Sequence, residues 1–130
     1  MPKAGQFNLQ DRLIDYSVRI IRLCEAFPNT KSGNHVAAQL LRSGTSPAAN
    51  YGEAQSAESK ADFVHKLKIS LKELRETQIW LLIIAKADLL QSDELLAPLL
   101  KETDELIAIL YSCIATSKKR PPALNLDIGY

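Results

Sequence analysis

Glycine is scarce in this chain: five among 130 residues, four of them in the first half. That argues against a turn-dense β-sandwich and against a Gly-rich phosphate cradle. Cysteine is nearly absent, and Cys24 and Cys113 alone build no disulfide framework. Only two histidines occur, His35 and His65, whereas a di-iron bundle needs two Glu-x-x-His motifs and two further glutamates. The one related spacing is Asp62-Phe63-Val64-His65, so no metal and no cofactor are expected. Long hydrophobic runs are missing as well: the longest, Ile79 to Ala85, has seven residues. A bilayer span takes roughly 20, so no membrane partner is expected. Met1 to Gln6 carries no signal-peptide core. Neither sign of charge dominates, with 16 basic and 15 acidic residues giving +1, which excludes a domain holding nucleic acid by bulk charge alone. Gly-x-Ser-x-Gly, P-loop and dinucleotide motifs are all lacking. A cytoplasmic protein that is not an enzyme, with no catalytic residues, is the expectation.

What the chain has is helical periodicity. Its composition, 46% hydrophobic and 24% charged, suits one folded domain over residues 1–130. Four segments, about 8–27, 34–57, 61–89 and 93–117, read as helices, followed by a flexible basic tail over 118–130. In the first, Leu9, Leu13, Tyr16, Ile20, Leu23 and Phe27 recur at spacings of four and three. Pro28 to Gly33 stops that helix, with Ser32 or Asn34 available as the next N-cap. The second segment holds Ser43-Gly44-Thr45-Ser46-Pro47 in its middle and reads as one kinked helix. The third has the seam Val64, Leu67, Leu71, Leu74, Gln78, Leu81, Ala85, with Ile79, Trp80, Ile83 and Ile84 outside it. In the fourth, Ser92-Asp93 offers an N-cap, although Pro98 allows a later start. Its seam is Leu96, Leu99, Thr103, Leu106, Leu110, Cys113, flanked by Leu95, Leu100, Ile107 and Ile114.

Such helices are roughly 30 to 40 Å long, and short connections favour antiparallel neighbours. The pattern predicts an all-α, up-down-up-down antiparallel four-helix bundle. Spare apolar stripes on the third and fourth helices predict self-association into a homo-oligomer. In that topology Cys24 and Cys113 stand on the order of 25 Å apart, too far for a disulfide. Arg42, Ser46, Asn50 and Glu53 on the second helix, with Glu76 and Thr77 on the third, read as a structural polar network fixing helix register. Residues 91–117 carry −4 and residues 118–130 carry +2, so charge is uneven along the chain. Lys118, Lys119 and Arg120 are the first candidates for contact with phosphates, followed by Lys66, Lys68, Lys72 and Arg75 and by Arg12, Arg19 and Arg22. Lys72 with Glu76 also reads as an ordinary i,i+4 pair.

The stretch Gln39 to Ala54, containing Arg42-Ser43-Gly44-Thr45-Ser46-Pro47 and Asn50-Tyr51-Gly52-Glu53, carries a resemblance. Together with Asp62-Phe63 through Leu67 and Glu73-Leu74-Arg75-Glu76-Thr77-Gln78, it resembles the bacterial four-helix bundle family of 23S rRNA intervening-sequence proteins, also called the S23 ribosomal protein family. The likeness covers about residues 9–117 and picks out Arg42, Ser46, Asn50, Glu53, Phe63, Leu67, Glu76 and Thr77. It implies a bundle assembled into a ring-shaped homopentamer, with no assigned molecular function and no catalytic residue. The function expected is a homo-oligomeric scaffold or adaptor. The alternative is an RNA- or ribonucleoprotein-binding protein acting through basic patches repeated around the ring.

Overall fold

The computed structural model describes residues 8–119, which form four α-helices with no strand among them. Helix α1 spans Leu9–Glu25, α2 Lys31–Ala54, α3 Lys60–Ala87 and α4 Leu96–Lys119. Each of the first three begins on a polar cap whose side chain accepts an N–H that the helix itself cannot pair. Asn8 accepts from Asp11 N at 3.0 Å, Thr30 from Gly33 N at 3.1 Å and Ser59 from Asp62 N at 3.0 Å. The capping by Thr30 moves the start of α2 to Lys31, ahead of the expected residue 34. The turn is tight there: a Cβ on Gly33 would lie 2.5 Å from the Pro28 carbonyl oxygen.

Helix α4 begins at Leu96 rather than at residue 93. Ser92 instead accepts the Glu94 N–H in a turn, and Pro98 occupies the first helical turn, where a missing N–H costs nothing. The helix then runs to Lys119, two residues past its expected end. Arg120 and the remainder of the basic tail lie outside the described residues. Helix α3 stops at Ala87, short of residue 89, because Asp88 adopts a left-handed conformation (φ 55°, ψ 46°) that ends the helical path.

Helix α2 passes through Pro47 as one continuous helix. Two features explain the residues there that read as an irregularity. Ser70 on α3 donates to the Pro47 carbonyl at 3.0 Å, a buried bond. Gly44 sits where α1 crosses close, since a Cβ there would come within 2.7 Å of Ile20 Cγ2. Glycine at this point answers a packing demand, with no turn involved.

The core is one cluster drawn from all four helices, including Leu13, Tyr16, Ile20, Leu40, Leu67, Leu74, Leu81 and Leu106. Burying each large apolar side chain contributes about 1.5–3 kcal/mol. The α1 seam is as expected, Leu9-Leu13-Tyr16-Ile20-Leu23, with Phe27 partly buried. The α3 seam is turned by about one residue from the expected one, and runs Phe63-Leu67-Ser70-Leu74-Thr77-Leu81-Ile84. Ser70 and Thr77 enter the core because their hydroxyls are satisfied there, Thr77 pairing with Ser43 at 2.9 Å and with the Glu73 carbonyl at 2.8 Å. On α4 the core position near the end is Ile114, while Cys113 is half-buried.

Helix α2 packs on both α1 and α3, α3 packs on α4, and α1 meets α4 least. Early α1 lies beside late α2, Gln10 donating to the Ala48 carbonyl, while Cys24 reaches the Ala37 carbonyl. Across the sparse α1–α4 contact, Arg12 clasps Glu102 through Nε at 2.7 Å and Nη2 at 2.8 Å, and Glu105 at 2.6 Å. Beneath that clasp the buried Tyr16 hydroxyl meets Thr103 Oγ1 at 2.5 Å.

Candidate interaction surfaces

The residues expected to form one polar network lie along the α2–α3 seam, but in separate groups. Arg42 bridges Glu73 at 3.0 Å and Glu76 on the outside of the seam, and Trp80 Nε1 donates to Glu76 at 3.1 Å. The Arg42 guanidinium, then the Trp80 indole, hold the Glu76 carboxyl below its usual range. The edge of His35 meets the Trp80 ring, with centroids 6.0 Å apart. Thr77 turns inward to Ser43, and so takes no part in the Arg42 group. Asn50 bonds within its own helix to Ser46, at 2.9 Å to the hydroxyl and 3.1 Å to the carbonyl. Glu53 pairs with Lys66 at 2.6 Å, about three turns along α2 from Arg42. Helical spacing alone placed these side chains on one seam. Which of them touch depends on how far each faces into it.

The cations singled out from the sequence also divide. Lys66 is tied to Glu53 on the α2 side of α3. Lys68, Arg75 and Lys118 gather instead on the α3–α4 edge, which Gln78 marks by donating to Asp104. Arg75 and Lys68 precede Gln78 by three and ten residues, and Lys118 follows Asp104 by fourteen, spacings that return to the same helix face. Lys72, one turn from both Lys68 and Arg75 and grouped with them in the sequence, is a fourth exposed cation, near enough to Glu76 to help hold that carboxyl down. None of the four reaches a carboxylate within salt-bridge distance among the described residues. Lys118 stands close enough to Lys68 to push the Lys68 pKa down. Tyr111, seven residues after Asp104, shares the edge and is 62% exposed. Lys119 is exposed at the end of α4.

Two apolar surfaces are uncovered. Ile14, Val18 and Ile21 line the outside of α1, opposite its core seam, and Leu41 of α2 lies level with them. On α3, Ile79, Leu82 and Ile83 are exposed while Ile84 is in the core, so the spare stripe is narrower than expected. The α1 stripe was legible as an i, i+4, i+7 repeat and was missed because a complete seam already accounted for that helix.

Two clefts open where α1 meets the start of α4. The larger, about 370 Å³, is walled by Leu23, Ala26, Leu90 and Leu95, with Gln91, Ser92 and Glu94 at its rim. The smaller lies between Arg19, Arg22, Leu95, Pro98 and Leu99. Both thiols are free and half-buried; burial raises the Cys24 pKa to about 11 and pushes Cys113 up as well. Among the described residues no three of His, Cys, Asp and Glu gather where they could hold a metal. No helix there is long and apolar enough to cross a membrane.

Residues 6–112 match the family described as 23S rRNA-intervening sequence protein. The fold is similar to the crystal structure of a protein of unknown function from the S23 ribosomal protein family of Bacteroides thetaiotaomicron. That likeness has a TM-score of 0.76 at 34% identity, over 82% of this chain and 98% of the other. No curated protein matches the chain.

Proposed function

Because the chain belongs to the 23S rRNA-intervening sequence protein family, we propose that it is a self-assembling scaffold: an up-down-up-down bundle that closes into a ring, a pentamer, and acts as an adaptor in the cytoplasm without catalysing a reaction. The observation that carries this reading is the pair of uncovered apolar surfaces, Ile14-Val18-Ile21 with Leu41 on one side and Ile79-Leu82-Ile83 on another. Contiguous apolar surface of this kind marks an interaction site. The two surfaces differ, so a contact of one with the other is head-to-tail, the type that generates rings when its rotation closes. Cross-helix bonds such as Gln10 to Ala48, Ser43 to Thr77 and Gln78 to Asp104 support the up-down order. Reduced thiols suit a reducing compartment.

Two exposed substitutions test the head-to-tail contact. Val18→Glu and Ile79→Glu each remove one surface and leave the other. Either variant alone is expected to be a 14.4 kDa monomer, and an equal mixture a heterodimer of about 29 kDa, twice that mass. A Val18→Glu protein that still forms the full assembly would refute the reading. A second reading, contact with RNA or ribonucleoprotein through cations repeated around the ring, is favoured by the predominantly basic α3–α4 edge.

A further inference from the structure

We infer that the α3–α4 edge is a binding site for single-stranded nucleic acid, in which Tyr111 stacks on an unpaired base while Lys68, Lys72, Arg75 and Lys118 take the flanking phosphates. This rests on the nucleic-acid reading above and specifies its site and its ligand. The chain as a whole is almost neutral at +1, yet this edge carries the exposed cations Lys68, Arg75 and Lys118 against the carboxylate of Asp104, which Gln78 already engages, with Lys72 beside them on the side nearer Glu76. The other carboxylates in cross-helix ion pairs lie on other seams, Glu102 and Glu105 with Arg12, Glu73 and Glu76 with Arg42, and Glu53 with Lys66. Lys68 and Lys118 approach each other from different helices, an arrangement an intervening phosphate would stabilise.

Tyr111 is the most exposed large apolar side chain of the described residues, at 62%, and it forms no hydrogen bond there. A second copy of the chain seated on this ring would have to strip water from Lys68 and Lys118, at a cost that no carboxylate within salt-bridge distance of either offsets among the described residues. A base sets no such condition, because its phosphates bring the counter-charge. About 10 Å of helix separates Tyr111 from Lys118, enough for a few nucleotides laid along the edge. One ring on the convex surface of two helices reaches only a base that is not already stacked in a duplex, which is why the site selects single strands.

The test is fluorescence anisotropy of the full chain with a labelled single-stranded RNA oligonucleotide of mixed sequence, and with the same RNA as a duplex. The single strand is expected to bind more tightly, and Tyr111→Ala to weaken it by roughly tenfold while Tyr111→Phe keeps the affinity. Lys68→Ala with Lys118→Ala, which removes a like-charge contact and so spares the fold, should lower the slope of log K against log salt by about 1.4. Equal affinity for duplex and single strand, or no change with Tyr111→Ala, would overturn the stacking site and leave nucleic-acid binding standing. Absence of binding to either RNA at low salt would overturn both.

Discussion

Gly44 and the Ser43–Thr77 pair show how single residues fix the spacing of α2. The Cβ that Gly44 lacks would lie 2.7 to 2.8 Å from two carbons of Ile20, a side chain with no exposed surface and no room to withdraw. Overpacking at such a point costs about 1–3 kcal/mol. Gly44→Ala is therefore expected to lower the urea midpoint with an unchanged m-value, although alanine is the better helix former. A midpoint equal to or above that of the parent would show that α1 and α2 can separate there at no cost. On the opposite flank of α2, Ser43 and Thr77 bury two hydroxyls that satisfy each other. The same logic applies to Tyr16, buried against Thr103, whose own hydroxyl donates to the Leu99 carbonyl at 2.7 Å. Burial raises the Tyr16 pKa well above that of a free phenol, so the ring stays neutral and packs as a hydrophobe with one anchored tip.

Between elements, α1 and α4 depend most on a few polar contacts, because they meet least. The hydrogen bond from Arg12 holds the Glu102 carboxyl below its usual range, against the opposing effect of burial. A carboxylate whose pKa is lower folded than unfolded contributes stability that is complete above the unfolded value, near 4.3, and is lost as pH falls through the folded one. Glu102→Gln should thus cost on the order of 1 kcal/mol at neutral pH, and the gap to the parent should narrow progressively as pH falls below the unfolded value in urea titrations followed by circular dichroism. A gap that persists undiminished in acid would mean that the pair acts through packing and not through charge. How far such features were legible beforehand varies by helix. The α1 seam stood out because every core position is apolar. On α3 the expected seam, apolar except for Gln78, is turned by about one residue from the observed one, since Ser70 and Thr77 look like surface residues until their partners on α2 are known. Arg42 and Glu76 were recognisable as partners, whereas Asn50 and Glu53 share their seam without sharing their contacts. Lys72 was grouped with Lys68 and Arg75 from spacing, but Tyr111 went unnoticed because only the pairing of Gln78 with Asp104 reveals which faces of α3 and α4 form one edge.

The whole molecule is a single core with an unusual outside: apolar surfaces on α1 and α3, and a basic edge between α3 and α4. Within one chain those surfaces have no explanation, since scattered apolar residues are ordinary but contiguous ones are not. The ring we propose would account for the apolar surfaces and repeat the basic edge once per subunit, so weak contacts to a long single strand would add through effective concentration. Assembly held by apolar surface should also be indifferent to ionic strength, unlike the RNA contact we propose, which salt would weaken. The most direct test of this account is the solution mass by light scattering, at low and at high salt. The account predicts about 72 kDa, five times 14.4 kDa, at both, and a 14.4 kDa monomer at either would contradict it.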